Sequence, residues 1–197
     1  MHTSSIIQKN LARILLISFG SLANYAAANG GQATAHRASI QKAPAAVAVK
    51  GNLPKLPSDV TDLKFREFFK MPIGPRGLDP SEKLMALAGK RVRLIGYMAR
   101  QETPTAGFFI LAPLPVALGD QDEALSDDLP ASTVFVHVAQ PAQALPTDAV
   151  PHYAGLLRLT GILSLGPLEE ADGHVSTVRL QLDPELVQAM TPSPGGS

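Results

Sequence analysis

The sequence predicts a mainly β protein with short helices, in which about five curved strands form a small barrel. Gly and Pro together account for 33 of the 197 residues, which is typical of strands joined by turns. Several short segments alternate apolar and polar residues, the pattern of a strand with one buried face. Two of these segments carry a central glycine, Gly96 or Gly161, and a mid-strand glycine indicates a bend or bulge of the kind that a curved sheet requires.

The first barrel strand follows directly on a predicted short helix of about ten residues. Asp79 can cap this helix, Pro80 fits its first position, and Glu82 completes a capping box. Gly89 ends it in the left-handed conformation. Before this helix, residues 60–71 supply large apolar side chains, and their spacing fits either a strand or a short helix.

Five strands and a closing helix are predicted after Gly89. The strands cover residues 91–98, 108–113, 133–138, 156–165 and 174–182, and the helix covers residues 183–190. The first two strands form a hairpin, and a turn over residues 166–173 joins the last two. The irregular connection between the third and fourth strands fits an OB-like curved β-barrel better than a two-sheet sandwich.

The N-terminal 28 residues have the features of an export signal. Lys9 and Arg13 precede a short apolar run over residues 14–23, and small residues end in Ala28. We expect cleavage after Ala28 and a periplasmic location. The alternative is an uncleaved segment that anchors the protein in a membrane, although the apolar run is short for a span.

Residues 29–58 are predicted to be a flexible linker rich in Ala, Pro and basic residues, with no acidic side chain. Val47 and Val49 offer no more than an added edge strand. The barrel domain is predicted to cover residues 59–190, and residues 191–197 are predicted to be a disordered tail. The chain has no cysteine, which excludes disulfides, thiol catalysis, Cys-based zinc sites and a lipoprotein anchor.

Charge is distributed unevenly along the chain. All 17 acidic residues lie from Asp59 onward, together with 11 of the 17 basic residues. The domain therefore carries a net charge of −6. Contacts to phosphate supply most of the affinity for nucleic acid, so we expect no nucleic-acid partner.

The strand motifs resemble a set of uncharacterised bacterial exported proteins that are classed as a domain of unknown function. The motifs are GKRVRLIGYM (89–98), FFILAP (108–113), a V-x-V-x-V strand and LRLTGILSLG (157–166). The resemblance covers residues 84–182 and implies an OB-like barrel in the periplasm. That family follows its second motif with a proline-rich segment bearing Cys and His, whereas residues 114–131 of this chain are acidic and lack cysteine. A ligand or metal role of that segment therefore does not transfer.

No motif in the sequence indicates a catalytic or metal site. Ser132 and Ser164 lack the strand–turn–helix context of a nucleophile, and His137, His152 and His174 lack metal-ligand spacing. The acidic loop over residues 116–131 has oxygens that attract calcium but not the spacing of an EF-hand, so we interpret it as a solvated loop. We expect no cofactor and no metal.

One outward face remains as a candidate binding surface. Strand parity places one group of side chains there, from which a ligand or partner could be bound: Arg91, Arg93, Tyr97, Phe135, His137 and Arg158. The alternative is that these are ordinary outward residues, or that Tyr97 and Phe135 fill a second small core under the linker.

The sequence therefore predicts a non-catalytic periplasmic binding or adaptor domain, of unknown specificity, in a bacterial envelope system. Its partner would be an envelope protein or a small ligand, and no membrane anchor would remain after cleavage. The alternatives are an enzyme with an unrecognised site and, from a third class, an OB module that binds single-stranded nucleic acid.

Overall fold

The computed structural model describes residues 41–75, 77–118, 129–138 and 149–191, all of them within one compact unit of the chain. The predicted signal segment, its cleavage point after Ala28 and the tail beyond residue 191 lie outside the described residues. So do residues 119–128 of the acidic loop. Among the described residues, no helix is both long enough and apolar enough to cross a membrane.

Short strands dominate the described part of the chain. The strands are β1 (Gln41–Lys42), β2 (Thr61–Asp62), β3 (Arg91–Met98), β4 (Arg100–Gln101), β5 (Phe108–Ala112), β6 (Ala117–Leu118), β7 (Val134–His137), β8 (Tyr153–Ala154), β9 (Leu156–Glu169) and β10 (Val175–Leu182). The helices are a 3₁₀ turn (Phe65–Glu67), α1 (Glu82–Ala86) and α2 (Pro184–Met190). The predicted mainly β class with short helices is thus confirmed.

Five of the strands form a closed ring. The main sheet has the order β2-β3-β5-β7-β10-β9, and β9 pairs in addition with β3. The pairs are antiparallel except for β7 with β10 and the short β2 with β3, which are parallel. Closure leaves each ring strand paired on both sides over part of its length, so the ring has little exposed strand edge.

The core lies on the inner side of this ring. The alternation predicted for β3 is confirmed, since Val92, Leu94 and Met98 belong to the main core and are buried. On β9, Leu157 and Leu159 face them from the neighbouring strand and are fully buried. Where these two strands pair, their outward residues are polar or half-buried apart from the exposed Ile162, and this pattern sets up the site described below.

The two mid-strand glycines make room for a close approach and form no bulge. Pairing of β3 with β9 is unbroken along both glycines. A Cβ at Gly96 would lie 2.7 Å from the carbonyl oxygen of Ala112, and one at Gly161 would lie 2.1 Å from that of Gln181. The register shift lies instead between β9 and β10, where the three steps of β9 from Leu165 to Leu168 face the two steps of β10 from Ser176 to Val178. Glycine is therefore required where neighbouring backbone approaches the strand.

The helix before β3 is shorter than predicted, and its cap differs. α1 has five residues, and Ser81 is its N-cap, accepting a hydrogen bond from the Leu84 backbone N–H at 3.0 Å. Asp79 lies outside the helix, where its carbonyl oxygen accepts a hydrogen bond from the Lys70 backbone N–H. Ser81 follows Pro80 and already has extended backbone angles, so it is the residue positioned to cap. Gly89 has a φ of +74°, as its predicted left-handed conformation requires.

Two boundaries also differ from the predictions. β9 continues through the predicted turn to Glu169, so the hairpin turn with β10 covers only residues 170–174. Residues 60–71 contain both predicted alternatives, the strand β2 and then the 3₁₀ turn. The rings of Phe65 and Phe68, 5.3 Å apart, join the core from this segment.

Candidate binding site

Residues 41–57, which we call the strap, pack against the ring although the sequence assigned them to a flexible linker. Val47 is fully buried in the main core. Its carbonyl oxygen accepts a hydrogen bond from the Arg158 backbone N–H at 2.7 Å, and the Val49 N–H donates to Leu156 at 3.1 Å. The strap therefore occupies the edge of β9 that β10 leaves open. Flexibility is thus wrong for these residues, whereas the added edge strand left open at Val47 and Val49 agrees with the bridge between Ala48 and Leu157. Burial of Val47 carries little local signal, because distant strands form its pocket.

The strap then crosses the outer face of β3 and β9. The register of the two strands sets Arg93 opposite Thr160, Ile95 opposite Arg158 and Tyr97 opposite Leu156. Because alternate residues of a strand point to opposite faces, these six side chains share the outer face. Arg91, Arg93, Tyr97 and Arg158 from the predicted surface therefore lie on one face.

A pocket of about 210 Å³ lies between the strap and this face. Two arginines and one threonine from β3 and β9 line one side of the pocket. The strap lines the opposite side, and α2 contributes one leucine. Its lining residues are Ala46, Pro54, Lys55, Leu56, Pro57, Arg93, Arg158, Thr160 and Leu186.

Arg93 is the buried cation of the pocket, with 6% of its surface exposed. Its Nε donates to Asp62 Oδ1 at 2.5 Å and its Nη2 donates to Asp62 Oδ2 at 2.7 Å. Its Nη1 donates to the Pro54 carbonyl oxygen at 2.9 Å. Burial of a guanidinium needs a paired carboxylate and satisfied donors, and both are present here. Arg93 therefore joins β3, β2 and the strap, and Asp62 balances its charge.

Arg158 and Lys55 are differently placed. The Arg158 Nη2 donates to the Ala46 carbonyl oxygen at 2.8 Å. Among the described residues, no carboxylate oxygen lies within 4.0 Å of Arg158 or of Lys55. Arg158 is half-buried and Lys55 is exposed. The pocket therefore has an excess of positive charge, even though the domain as a whole is acidic.

Arg91 lies at the end of the same face, outside the pocket. Its Nη2 donates to Asp183 Oδ2 at 2.6 Å, and its Nη1 donates to Asp59 Oδ2 at 2.9 Å. These hydrogen bonds raise the pKa of Arg91 above its usual range and lower the pKa of Asp59. Asp183 also accepts a hydrogen bond from the Thr160 hydroxyl. Its side chain therefore does not cap α2, although Asp183 occupies the N-cap position.

His137 lies on a different part of the ring from the arginines. Its Nε2 is 3.1 Å from Glu170 Oε1, and its ring stacks on Phe108 with centroids 5.9 Å apart. Phe135 belongs to a second small core, which contains Ala99, Phe108, Ile110 and Phe135. A second small core is one of the predicted alternatives, but Tyr97 is not in it, and no residue of the described part of the predicted linker, 41–58, packs against it. Val116, Leu118 and Leu129 pack against it instead.

The other two histidines of the described residues, His152 and His174, also lie against groups of the fold. His152 Nε2 lies 3.2 Å from the Met98 carbonyl oxygen, and His174 Nδ1 lies 3.1 Å from Asp172 Oδ2. Within the described ranges, no cluster of three or more His, Cys, Asp or Glu residues is arranged to hold a metal ion.

Of the nine lining residues, the sequence predicts only Arg93 and Arg158; Thr160, Lys55 and Leu186 are among the seven that it misses. Thr160 has the same strand parity as Arg158, so the alternation in 157–166 could have identified it. Lys55 belongs to the segment that is predicted to be a linker, and Leu186 reaches the pocket from α2. Neither of the last two carries a local signal, because the contact that matters joins distant parts of the chain.

Comparison with known proteins adds little to this geometry. No family model matches the chain, and no curated protein matches it. A similar solved structure is the crystal structure of a DUF3299 family protein from Pseudomonas aeruginosa PAO1, with a TM-score of 0.35 and 12% identity, over 61% of this chain and 91% of that one. This neighbour is itself a domain of unknown function. At this TM-score the similarity supports no inference about this chain, and the predicted resemblance to an exported family stays a prediction.

Proposed function

We propose that this protein is a non-catalytic binding domain that holds a small ligand between the strap and the outer face of β3 and β9. The observation that carries this proposal is the pocket of about 210 Å³. The buried Arg93 defines its position, since this side chain binds the partly exposed Asp62 and the Pro54 carbonyl oxygen at once. A binding wall held on paired strands keeps its shape without a ligand, which lowers the entropic cost of binding.

The composition of the pocket supports binding without turnover. The residues that line it in the described part of the chain are cations, one threonine and apolar side chains. His, Asp and Glu, the usual general acids and bases, are not among them. The hydroxyl of Thr160 donates to Asp183, whose carboxylate also binds Arg91, so Thr160 has no adjacent free base to activate it.

An OB-like barrel is the fold that we propose for the ring. In chain order its strands are β3, β5, β7, β9 and β10, and around the ring the fifth strand lies between the third and the fourth. The third and fifth strands, β7 and β10, are parallel. A five-stranded barrel in which one long connection returns a strand beside the first has this Greek-key character.

The cellular setting that we propose is the bacterial periplasm. It rests on the predicted leader over residues 1–28, on cleavage after Ala28 and on the absence of cysteine. A membrane-anchored form with an uncleaved leader is the alternative. In either case the domain would serve an envelope system, with a small ligand or an envelope protein as its partner.

A fragment screen followed by NMR tests the binding function. The ¹H–¹⁵N spectrum of the full chain would be recorded with neutral, anionic and cationic fragments, and mass spectrometry would check that each fragment is recovered unchanged. We expect shift changes to cluster at the backbone amides of the strap and of residues 158–160. Changes confined to the β5, β7 and β10 face, or chemical conversion of a fragment, would contradict the proposal.

Neighbouring alanines offer a matched pair of variants for this screen. Ala46 lines the pocket, whereas Ala45 does not, and both are exposed. The substitution Ala46→Trp should fill the pocket and abolish the shift changes. Ala45→Trp should leave them intact, because its side chain lies outside the pocket. Equal effects of the two substitutions would show that the fragments bind elsewhere.

A further inference from the structure

The charges in the pocket indicate the chemical class of its ligand. Of the three cations that line it, Arg93 is neutralised by Asp62. No carboxylate oxygen in the described part of the chain lies within 4.0 Å of Arg158 or Lys55. A half-buried arginine without a counter-charge favours an anion, because the ligand then supplies the charge that the protein does not.

Arg158 is the side chain positioned to bind that anion. Its Nη2 donates to the Ala46 carbonyl oxygen at 2.8 Å, which holds the guanidinium against the strap. One hydrogen bond leaves most of its five N–H groups for a ligand. The planar fork of an arginine matches the two oxygens of a carboxylate. Lys55, at the exposed rim, adds a weaker and solvent-screened attraction.

The other walls of the pocket limit the size and polarity of the ligand. Pro54, Leu56, Pro57 and Leu186 supply apolar surface beside Arg158. The volume of about 210 Å³ is below the range of about 300–1,000 Å³ that drug-sized ligands occupy. The ligand is therefore small, with an apolar body that contacts these walls.

Two carboxylates close to the pocket restrict the charge of the ligand. Asp62 accepts a hydrogen bond from Arg93, and Asp183 accepts one from the Thr160 hydroxyl. These nearby carboxylates repel negative charge on a ligand, and the repulsion is stronger for a dianion such as phosphate than for a monoanion.

We infer that the pocket binds a small monocarboxylate with an apolar body, whose carboxylate accepts hydrogen bonds from Arg158. This inference rests on the proposed binding function and specifies its ligand class.

Titration calorimetry on the full chain tests this inference with four defined probes: benzoate, butanoate, benzamide and inorganic phosphate. We expect benzoate and butanoate to bind, and benzamide to bind ~10-fold more weakly, since it has the shape of benzoate without the charge. Phosphate should bind more weakly than either carboxylate. Equal affinity for benzoate and benzamide, or tighter binding of phosphate, would overturn the monocarboxylate assignment.

Arginine variants locate the binding group. Arg158→Gln should lower benzoate affinity by ~10-fold or more, and Arg158→Lys should lower it by less, because the charge stays while the fork is lost. Arg100→Gln, an exposed arginine outside the pocket, should leave it unchanged. A benzoate affinity that is equal in Arg158→Gln and in the wild type would remove Arg158 from the site, provided that both give the folded NMR spectrum.

Failure of this inference can be told apart from failure of the binding function. If benzamide or another neutral fragment shifts the pocket amides and the carboxylates do not, the ligand class is wrong and the pocket still binds. If no fragment of any charge shifts those amides, both proposals are overturned.

Discussion

The two outer faces of the ring differ in how they are covered. Over β5 and β7, Phe108, Ile110 and Phe135 point outward and are buried in a second small core. Over β3 and β9, the outward residues include Arg93 and Arg158, and the strap covers them. Apolar outward residues pack against other apolar side chains and leave no pocket between them, because protein interiors are closely packed. Charged outward residues under a backbone segment leave room for a ligand.

The difference also appears in the polar pairs. On the β3–β9 face, Arg91 and Arg93 bind carboxylates that come from other segments of the chain. On the other face, His137 lies against Glu170 and stacks on Phe108. We therefore expect the second small core to contribute to stability, and the β3–β9 face to combine a scaffold of ion pairs with a binding pocket.

The largest effect should follow loss of the second small core. Phe135→Ala should lower the free energy of unfolding by about 3–5 kcal/mol, because the buried ring leaves a cavity. Tyr97→Ala is the matched aromatic deletion on the β3–β9 face, where the side chain is half-buried, and it should cost about 1 kcal/mol. Urea unfolding of both variants checks the difference. Equal losses would show that the two faces contribute alike.

An intermediate effect should follow loss of the carboxylate of Asp183. Its side chain is 10% exposed and receives hydrogen bonds from Arg91 and Thr160. Asp183→Asn keeps the shape but not the charge, and should cost about 2 kcal/mol of unfolding free energy. The other carboxylate that binds Arg91 is that of Asp59, whose side chain is 61% exposed. Asp59→Asn should therefore change the free energy of unfolding little. Equal losses of unfolding free energy in Asp183→Asn and Asp59→Asn, measured by urea unfolding, would contradict this prediction.

The smallest effect should be the contribution of Asp59 to stability against acid. The hydrogen bond from Arg91 lowers the pKa of this carboxyl below its ordinary value of 3.8. A carboxyl whose pKa is lower in the folded protein stabilises it above the ordinary pKa, and this contribution is lost as pH falls through the folded value. Wild type and Asp59→Asn should therefore converge in urea midpoint as the pH falls from about 5 through the lowered pKa. A difference in urea midpoint between the two proteins that grows as the pH falls would contradict this prediction.

Local patterns predicted the framework of the molecule well. The alternation of Val92 and Leu94 with Arg91 and Arg93 identified β3 with its observed bounds. Alternation also identified β7 and β10, and a continuous apolar run identified β5, each to within two residues. The helix predicted over residues 183–190 is α2, to within one residue. These features depend on neighbours a few residues apart, so the sequence carries them directly.

The site could be predicted only in part. Strand parity correctly indicates that Arg93 and Arg158 are outward, because it needs only the period of the strand. It groups His137 with them because parity does not say which strands are adjacent around the ring. Nor does it find Lys55, which reaches the pocket only because the strap folds back.

By itself, then, the sequence determined a mainly β chain, the inward and outward sides of its main strands, and a domain with few charges and no cysteine. The tertiary structure decided which charges meet. Arg91 binds Asp183 across 92 residues, and Arg158 binds the Ala46 carbonyl oxygen across 112. It also decided that the strap closes over β3 and β9. Such contacts depend on the closure of the whole ring, and no local pattern of residues encodes that closure.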